Sequence, residues 1–156
     1  MALDDLYTKP GYQFRRMRQI AAAVFAEEAA AYGVTAQQWT TLQGLGEFPS
    51  IEQNALCEVL DLDRATMATL LARLEEKGLV RRTTSTTDRR RKHVALTPRG
   101  RHTLDLMTPI VDRVQERILA PLSPADRREF ARMLSILVTT HGSSGTGQTT
   151  SEKEAS

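Results

Sequence analysis

Asp63-Arg-Ala-Thr-Met-Ala-Thr-Leu-Leu-Ala-Arg-Leu-Glu-Glu-Lys-Gly78 is the stretch on which the fold turns. Asp63 suits an N-cap, because its carboxylate can accept from the free N–H groups of a first helical turn. Gly78 suits the far end, where left-handed backbone closes a helix. Between them Met67, Leu70, Leu71 and Leu74 recur at helical spacing and gather on one side, which predicts a buried face. The opposite side carries Ala65, Ala68, Thr69 and Ala72, with Thr66 and Arg73 at its border and Arg64 at its start. A solvated helix face is normally long-chained and charged. This one is trimmed to small groups, which suits a helix lying close against another surface, and a DNA major groove admits such a helix.

Working outward, residues 50–62 predict a shorter helix before this one. Residues 79–84 and 93–97 read as two strands joined by the polar tip Ser85-Thr-Thr-Asp-Arg-Arg-Arg-Lys92. From Arg81 to His93 there are five Arg, one Lys and one Asp, a local charge of about +5 in a chain whose formal total is +2. A basic hairpin behind a groove-reading helix makes a winged helix, its arginines placed for the negative potential of a minor groove. Candidate DNA contacts are therefore Arg64, Ala65, Thr66, Ala68, Thr69 and Arg73 on the helix. On the wing they are Asp88, Arg89, Arg90, Arg91 and Lys92.

At these residues the chain resembles the multiple-antibiotic-resistance regulator (MarR) family of winged helix-turn-helix transcription factors. The resemblance is carried by Leu56, Leu60 and Leu62, then Arg73-Leu74-Glu75, Lys77-Gly78-Leu79-Val80, Arg82, Asp88-Arg89-Arg90 and Leu96-Thr97-Pro98-Arg99-Gly100. It covers roughly residues 10–140. It implies that Arg90 enters the minor groove with Asp88 bracing it, and that Arg73 is the recognition-helix arginine. Ala65 stands where a Ser is common and Thr69 where an Arg is common, so the resemblance carries over the family but not the operator sequence. The resemblance also implies terminal helices that intertwine as a homodimer, which would set two recognition helices about one DNA turn (~34 Å) apart on a pseudo-palindrome.

The remaining sequence predicts the frame. Pro10 opens a helix to about Ala31 with Phe14, Met17, Ala21, Val24 and Phe25 on one face. Thr35 and Gln38 form a capping box for a second helix burying Trp39, Leu42 and Leu45. Thr97-Pro98 opens another, whose Leu104, Met107, Val111, Val114 and Ile118 are spaced like a coiled-coil seam, with Pro109 bending it. Ser123-Pro124 opens the last, with Phe130, Met133, Leu134, Leu137 and Val138 as its apolar side. The expected fold is mainly α (α+β minor): about six helices and a β-hairpin wing. It divides into an N-terminal dimerisation helix (1–34), a winged helix-turn-helix (35–97), C-terminal dimerisation helices (98–141) and a disordered tail (142–156).

Arg18 falls by wheel position among Phe14, Ala21 and Phe25, with Arg15 on its flank. A guanidinium in an apolar sector needs an acidic partner or an anion. Glu28 leans into the same sector about 15 Å further along the helix, so it could pair only across a dimer. The alternative is a pocket for a small aromatic acid, its carboxylate on Arg15 or Arg18 and its ring on Tyr12, Phe14 or Trp39. The opening Lys9-Pro-Gly-Tyr-Gln-Phe-Arg-Arg-Met-Arg-Gln-Ile20 looks like the subgroup controlling aromatic-acid catabolism, such as nicotinate-degradation repressors. Repression released by such an effector is the expected function.

Other classes find little support. His93, His102 and His141 are scattered, with no metal-ligand spacing, and no phosphate loop, carboxylate pair or nucleophile–base frame stands out, so neither cofactor, metal nor catalysis is expected. Cys57 is the lone cysteine, which excludes an internal disulfide and suits a reducing cytoplasm. It reads as a small core residue beside Leu56 and Val59, with a redox-responsive regulator as the alternative. A further alternative is a winged helix used for protein interaction, which would not require the basic wing. No apolar run approaches the roughly 18 residues of a membrane span, and no secretory signal opens the chain.

Overall fold

In the computed structural model, which describes residues 3–142, the chain runs α1 (Leu3–Thr8), α2 (Pro10–Glu28), a 3-10 turn (Ala30–Tyr32), α3 (Ala36–Gly46) and β1 (Ile51–Glu52). It continues through α4 (Gln53–Leu60), α5 (Arg64–Glu76), β2 (Val80–Thr84), β3 (Lys92–Leu96), α6 (Pro98–Leu119) and α7 (Pro124–Gly142). The fold is mainly α with one small sheet, as expected. It differs in detail. Seven α-helices rather than six lie among the described residues, because a short helix precedes Pro10. α2 stops at Glu28, and its continuation tightens into the 3-10 turn that ends at left-handed Gly33 (φ 62°). Of the expected tail, Gly142 closes α7, and residues 143–156 lie outside the described residues.

Local signals explain most boundaries. Thr35 accepts from the Gln38 N–H at 3.2 Å while Gln38 Oε1 accepts from the Thr35 N–H at 3.2 Å, so the capping box is complete. The hairpin β2–β3 is joined on its other side by β1, giving the order β1-β3-β2, with Ile51 opposite Val94 and Arg82 opposite Val94 from the other edge. β1 is a third strand that sequence reading did not foresee. Two residues carry no periodicity, and only pairing with β3 defines them.

The described residues form two compact units that divide after Ile118. In the first, one core takes Leu42 and Leu45 from α3, Leu56 from α4, Met67, Leu71 and Leu74 from α5, and Met107 from α6, all fully buried. Full burial of each such side chain contributes about 1.5–3 kcal/mol. Leu104, Ile110, Val111 and Val114 belong to the same core, as do Phe25 and Ala29. This corrects the seam expectation: the 104–118 row is the inner face of α6 within its own chain, and a second copy is not needed to cover it. In the second unit α7 is capped by Ser123, whose hydroxyl accepts from the Asp126 N–H at 3.2 Å. None of its residues is buried, and Met133, Ile136, Leu137 and Val138 stand exposed.

The junction between β2 and α6 explains two sequence motifs. Gly78 adopts φ 70° just past α5. Thr97 then donates its hydroxyl to the Gly78 carbonyl at 2.6 Å and accepts from the Gly100 N–H at 3.0 Å, capping α6. Thr97 also donates its N–H to the Leu79 carbonyl at 3.1 Å. A Cβ on Gly100 would lie 1.9 Å from that same Leu79 oxygen, so only glycine fits.

Candidate nucleic-acid interface

α5 is held by the cap that its sequence announces. Asp63 accepts from the Thr66 N–H at 2.8 Å and the Thr66 hydroxyl at 2.6 Å. The Thr66 hydroxyl bond is the main cause holding the Asp63 carboxyl below its ordinary range. Met67, Leu70, Leu71 and Leu74 are buried, so the helix has no rotational freedom to choose which side it shows. It shows Arg64, Ala65, Ala68, Thr69 and Arg73 to solvent, with Thr66 and Ala72 half-buried. The Thr69 hydroxyl donates to the Ala65 carbonyl at 3.1 Å.

A concavity of about 330 Å³ runs along this side, lined by Ala65, Thr66, Thr69, Leu70 and Arg73, with Gln37 from the first turn of α3. Gln37 is the residue that sequence reading missed. The capping box fixes the start of α3, and from that start the exposed Gln37 is adjacent in sequence to the buried Gln38. What could not be read is that the first turn of α3 borders α5.

At the wing, Ser85 and Asp88 organise the tip. The Ser85 hydroxyl accepts from the Thr87 and Asp88 N–H groups, each at 3.3 Å, and the Ser85 N–H donates to the Arg91 carbonyl at 2.9 Å. Asp88 Oδ1 accepts from the Arg90 backbone N–H at 3.0 Å. Bracing therefore acts on the Arg90 main chain and leaves its guanidinium free of it. The side-chain ion pair of Asp88 goes instead to Arg91, at 3.7 Å, and Arg91 also meets Glu52 of β1 at 3.7 Å. Arg89, Arg90 and Lys92 are exposed. At the wing's base Arg82 donates to Glu75 Oε2 through Nη2 at 2.7 Å and Nε at 3.0 Å, tying β2 to the end of α5. That bond holds the Glu75 carboxyl below its ordinary value.

Known proteins share this arrangement. The description "MarR family" fits residues 32–91. The transcriptional regulator HosA of Escherichia coli O127:H6 is 34% identical over 135 residues, spanning 86% of this chain and 98% of HosA. This chain belongs to the MarR family. Among solved structures, BpsR of Bordetella bronchiseptica, whose DNA binding is regulated by 6-hydroxynicotinic acid, is 25% identical with a TM-score of 0.77 over 83% of this chain and 93% of BpsR. The PcaV regulator of Streptomyces coelicolor, in complex with its natural ligand, is 27% identical with a TM-score of 0.78 over 89% of this chain and 98% of PcaV. The chain is a MarR-family transcriptional regulator rather than an enzyme.

For this MarR-family chain the five residues expected to receive an aromatic acid do not form one buried sector. Arg18 is exposed, and so are Phe14 and Met17, because only the C-terminal half of α2 reaches the core, through Phe25 and then Ala29 just beyond it. Arg15 is exposed and lies over the Tyr12 ring, 5.0 Å from its centroid, while Tyr7 meets the same ring edge-on at 5.3 Å. Trp39 is half-buried, with its indole N–H buried and lacking an acceptor. Glu28 corrects a second expectation. It needs no partner chain, since Arg117 donates to it at 2.8 Å and Arg113 at 3.4 Å from α6. The Arg117 bond is the chief cause lowering its carboxyl, against a smaller opposing effect of burial. A cleft of about 600 Å³ does open at the other end of α2, between Ala22, Phe25, Ala26 and Ala30 on one side and Leu70 and Arg73 of α5 on the other.

Cys57 is buried, and desolvation is the main effect raising its thiol above the ordinary range. A thiol so held is a poor thiolate source, which disfavours the redox alternative. Val59, expected beside it in the core, is instead exposed. Among the described residues no group of three His, Cys, Asp or Glu is placed to hold a metal, and no helix is long and apolar enough to cross a membrane.

Proposed function

We propose that this regulator acts in the cytoplasm as a homodimeric repressor. It binds a pseudo-palindromic operator in double-stranded DNA and is released by a small aromatic carboxylate. The observation that carries the DNA part is the outward side of α5. Met67, Leu71 and Leu74 fix the helix from behind, small residues clear its front, and Arg73 and Gln37 border the concavity where a DNA edge would sit. Arg64, Ala65, Thr66, Ala68 and Thr69 would face the major groove. Arg90 would enter the minor groove from the braced tip, with Arg89, Arg91 and Lys92 near the phosphates.

The dimer is supported by apolar surface left open on one chain. Phe14, Met17 and Ile20 are 50%, 36% and 41% exposed on α2, and α7 carries exposed Met133, Ile136, Leu137 and Val138. Residues 1–34 and 98–141 would form the frame, and residues 35–97 the reading head. Arg15 and Arg18, with Tyr12, Phe14 and Trp39, would receive the effector once a second copy covers the α2 face. Two exposed guanidiniums, with the exposed Phe14 ring and the half-buried Tyr12 ring on the same helix, suit a planar carboxylate. The heteroaromatic acid that regulates BpsR belongs to that chemical class.

Gel-shift titration with the DNA upstream of its own gene, at two salt concentrations, tests the reading. A sequence-preferring complex that weakens on adding hydroxylated benzoates or nicotinates is the expected result. Equal affinity for unrelated DNA, or no complex at low salt, overturns it. Arg18→Lys should lose effector affinity despite keeping the charge.

A further inference from the structure

The cleft between α2 and α5 raises the question of what sets their separation. Side chains do not fill that space, so packing cannot define the angle there as it does on the core side of α5. A polar tie lies beside it, where Gly33 and Gln38 border the cleft. Lys77, at the C-cap of α5, donates its ammonium to the carbonyl of Gly33 and, at 2.9 Å, to Gln38 Oε1. Both acceptors belong to the corner where the 3-10 turn passes into α3. Gly33 is the left-handed residue of that corner, and Gln38 is only 3% exposed. The same Gln38 oxygen accepts from the Thr35 N–H in the capping box, so the receiving group is itself fixed.

We propose that Lys77 is a positioning residue: it ties the recognition helix to the α2–α3 corner and so sets how that helix is presented to DNA. This rests on the regulator reading above. A lysine suits the task, because its ammonium has several donors on a long flexible stem and can serve two acceptors across a gap. Among the described residues it forms no ion pair, so its donors are directed at the two neutral oxygens. The simpler role for a lysine here is contact with a phosphate, and the two roles separate by experiment.

Operator affinity is measured over a salt series for Lys77→Met, Lys77→Arg, Gln38→Met and the double variant Lys77→Met/Gln38→Met, with melting temperatures alongside. Losing a charge-assisted tie should weaken the operator complex by about tenfold. The slope of affinity against salt should stay unchanged, Lys77→Arg should recover most of the loss, and the two Met substitutions should be non-additive. A phosphate contact predicts instead a slope smaller by about one and indifference to Gln38. That result, or unchanged affinity in Lys77→Met, overturns the proposal. The tie is also read without DNA, from the lysine ammonium signal in ¹⁵N-labelled wild type. The signal should be protected from exchange and lose that protection in Gln38→Met. A wild type that binds no DNA defeats the regulator reading, whereas an ammonium signal indifferent to Gln38→Met defeats the tie itself.

Discussion

Arg90 and Arg91 are neighbours with the same side chain, yet the wing treats them differently, and removing each should have unequal effects. Arg91 is held back by Asp88 and Glu52 at 3.7 Å, and those carboxylates offset its charge. Arg90 is held by Asp88 only through its backbone N–H, which donates to the Asp88 carboxylate. If Arg90 reaches into a minor groove, Arg90→Ala should cost about 1–3 kcal/mol of operator binding, roughly a 5- to 150-fold loss. Arg91→Ala should cost less. Asp88 then separates bracing from charge. Asp88→Ala removes an acceptor whose net contribution is about 0.5–1.5 kcal/mol, while also deleting a negative charge that DNA repels. In the wild-type background the lost brace should win and affinity should fall. In the Arg90→Ala background no guanidinium remains to be placed, so Asp88→Ala should leave affinity unchanged or raise it. Asp88→Asn, which keeps an acceptor, should bind at least as well as wild type. Fluorescence anisotropy with a labelled operator at fixed salt reads all five variants. An Arg91→Ala loss larger than that of Arg90→Ala, or additive Asp88 and Arg90 effects, would refute the reasoning.

Gly100→Ala should lower stability by about 1–3 kcal/mol or more, read as a drop in melting temperature, because its Cβ would meet the Leu79 carbonyl. Glu75→Gln tests the tie at the wing's base. The Glu75 carboxyl is lowered from an ordinary 4.5, so its stabilisation is present above that pH and lost as pH falls through the folded value. The gap in denaturation midpoint between wild type and Glu75→Gln should therefore be widest near neutrality and narrow as the pH falls below 4.5. Val114→Asp puts an unpaired charge in the core and should cost at least about 3 kcal/mol, seen as lost circular dichroism. Ile136→Asp, on exposed α7, should leave the helical signal and shift sedimentation from dimer toward monomer.

Much of the reading head was legible because its determinants are local. A cap and the residue three positions on lie in one turn, so Asp63–Thr66 and Thr35–Gln38 could be read directly. The glycine stops and the polar wing tip are local too. Errors appear where a distant partner decides. The helical wheel placed Arg18 with Phe14 and Phe25 correctly in angle, but angle does not say how far along a helix the core extends. On α2 it stops short of Phe14 and Arg18, and both stand in solvent. Glu28 finds Arg113 and Arg117, 85 and 89 positions later, a pairing that no local pattern announces. The 104–118 row was rightly apolar, but a 3-4 spacing fits an internal face as well as a seam between chains. Gln37 and β1 belong to the same class, since both are defined by a neighbour from elsewhere in the chain.

Response to the proposed effector depends on which parts can move together. Arg82 and Glu75 join the wing to the end of α5, and Lys77 joins that end to the α2–α3 corner. Thr97 bonds to Gly78 and Leu79, and Gly100 sits against the Leu79 carbonyl, so α6 is anchored to the same few residues. The end of α5, the wing and the start of α6 therefore meet within residues 75–100. The open cleft lies on the other side, between α2 and α5. A ligand cannot move the head merely by binding tightly to the frame. It must bind one frame–head arrangement more tightly than the other, and its effect on DNA affinity is bounded by that difference. Such a difference is easiest to generate where helices face each other across unfilled space. The close-packed core on the opposite side of α5 resists the same displacement.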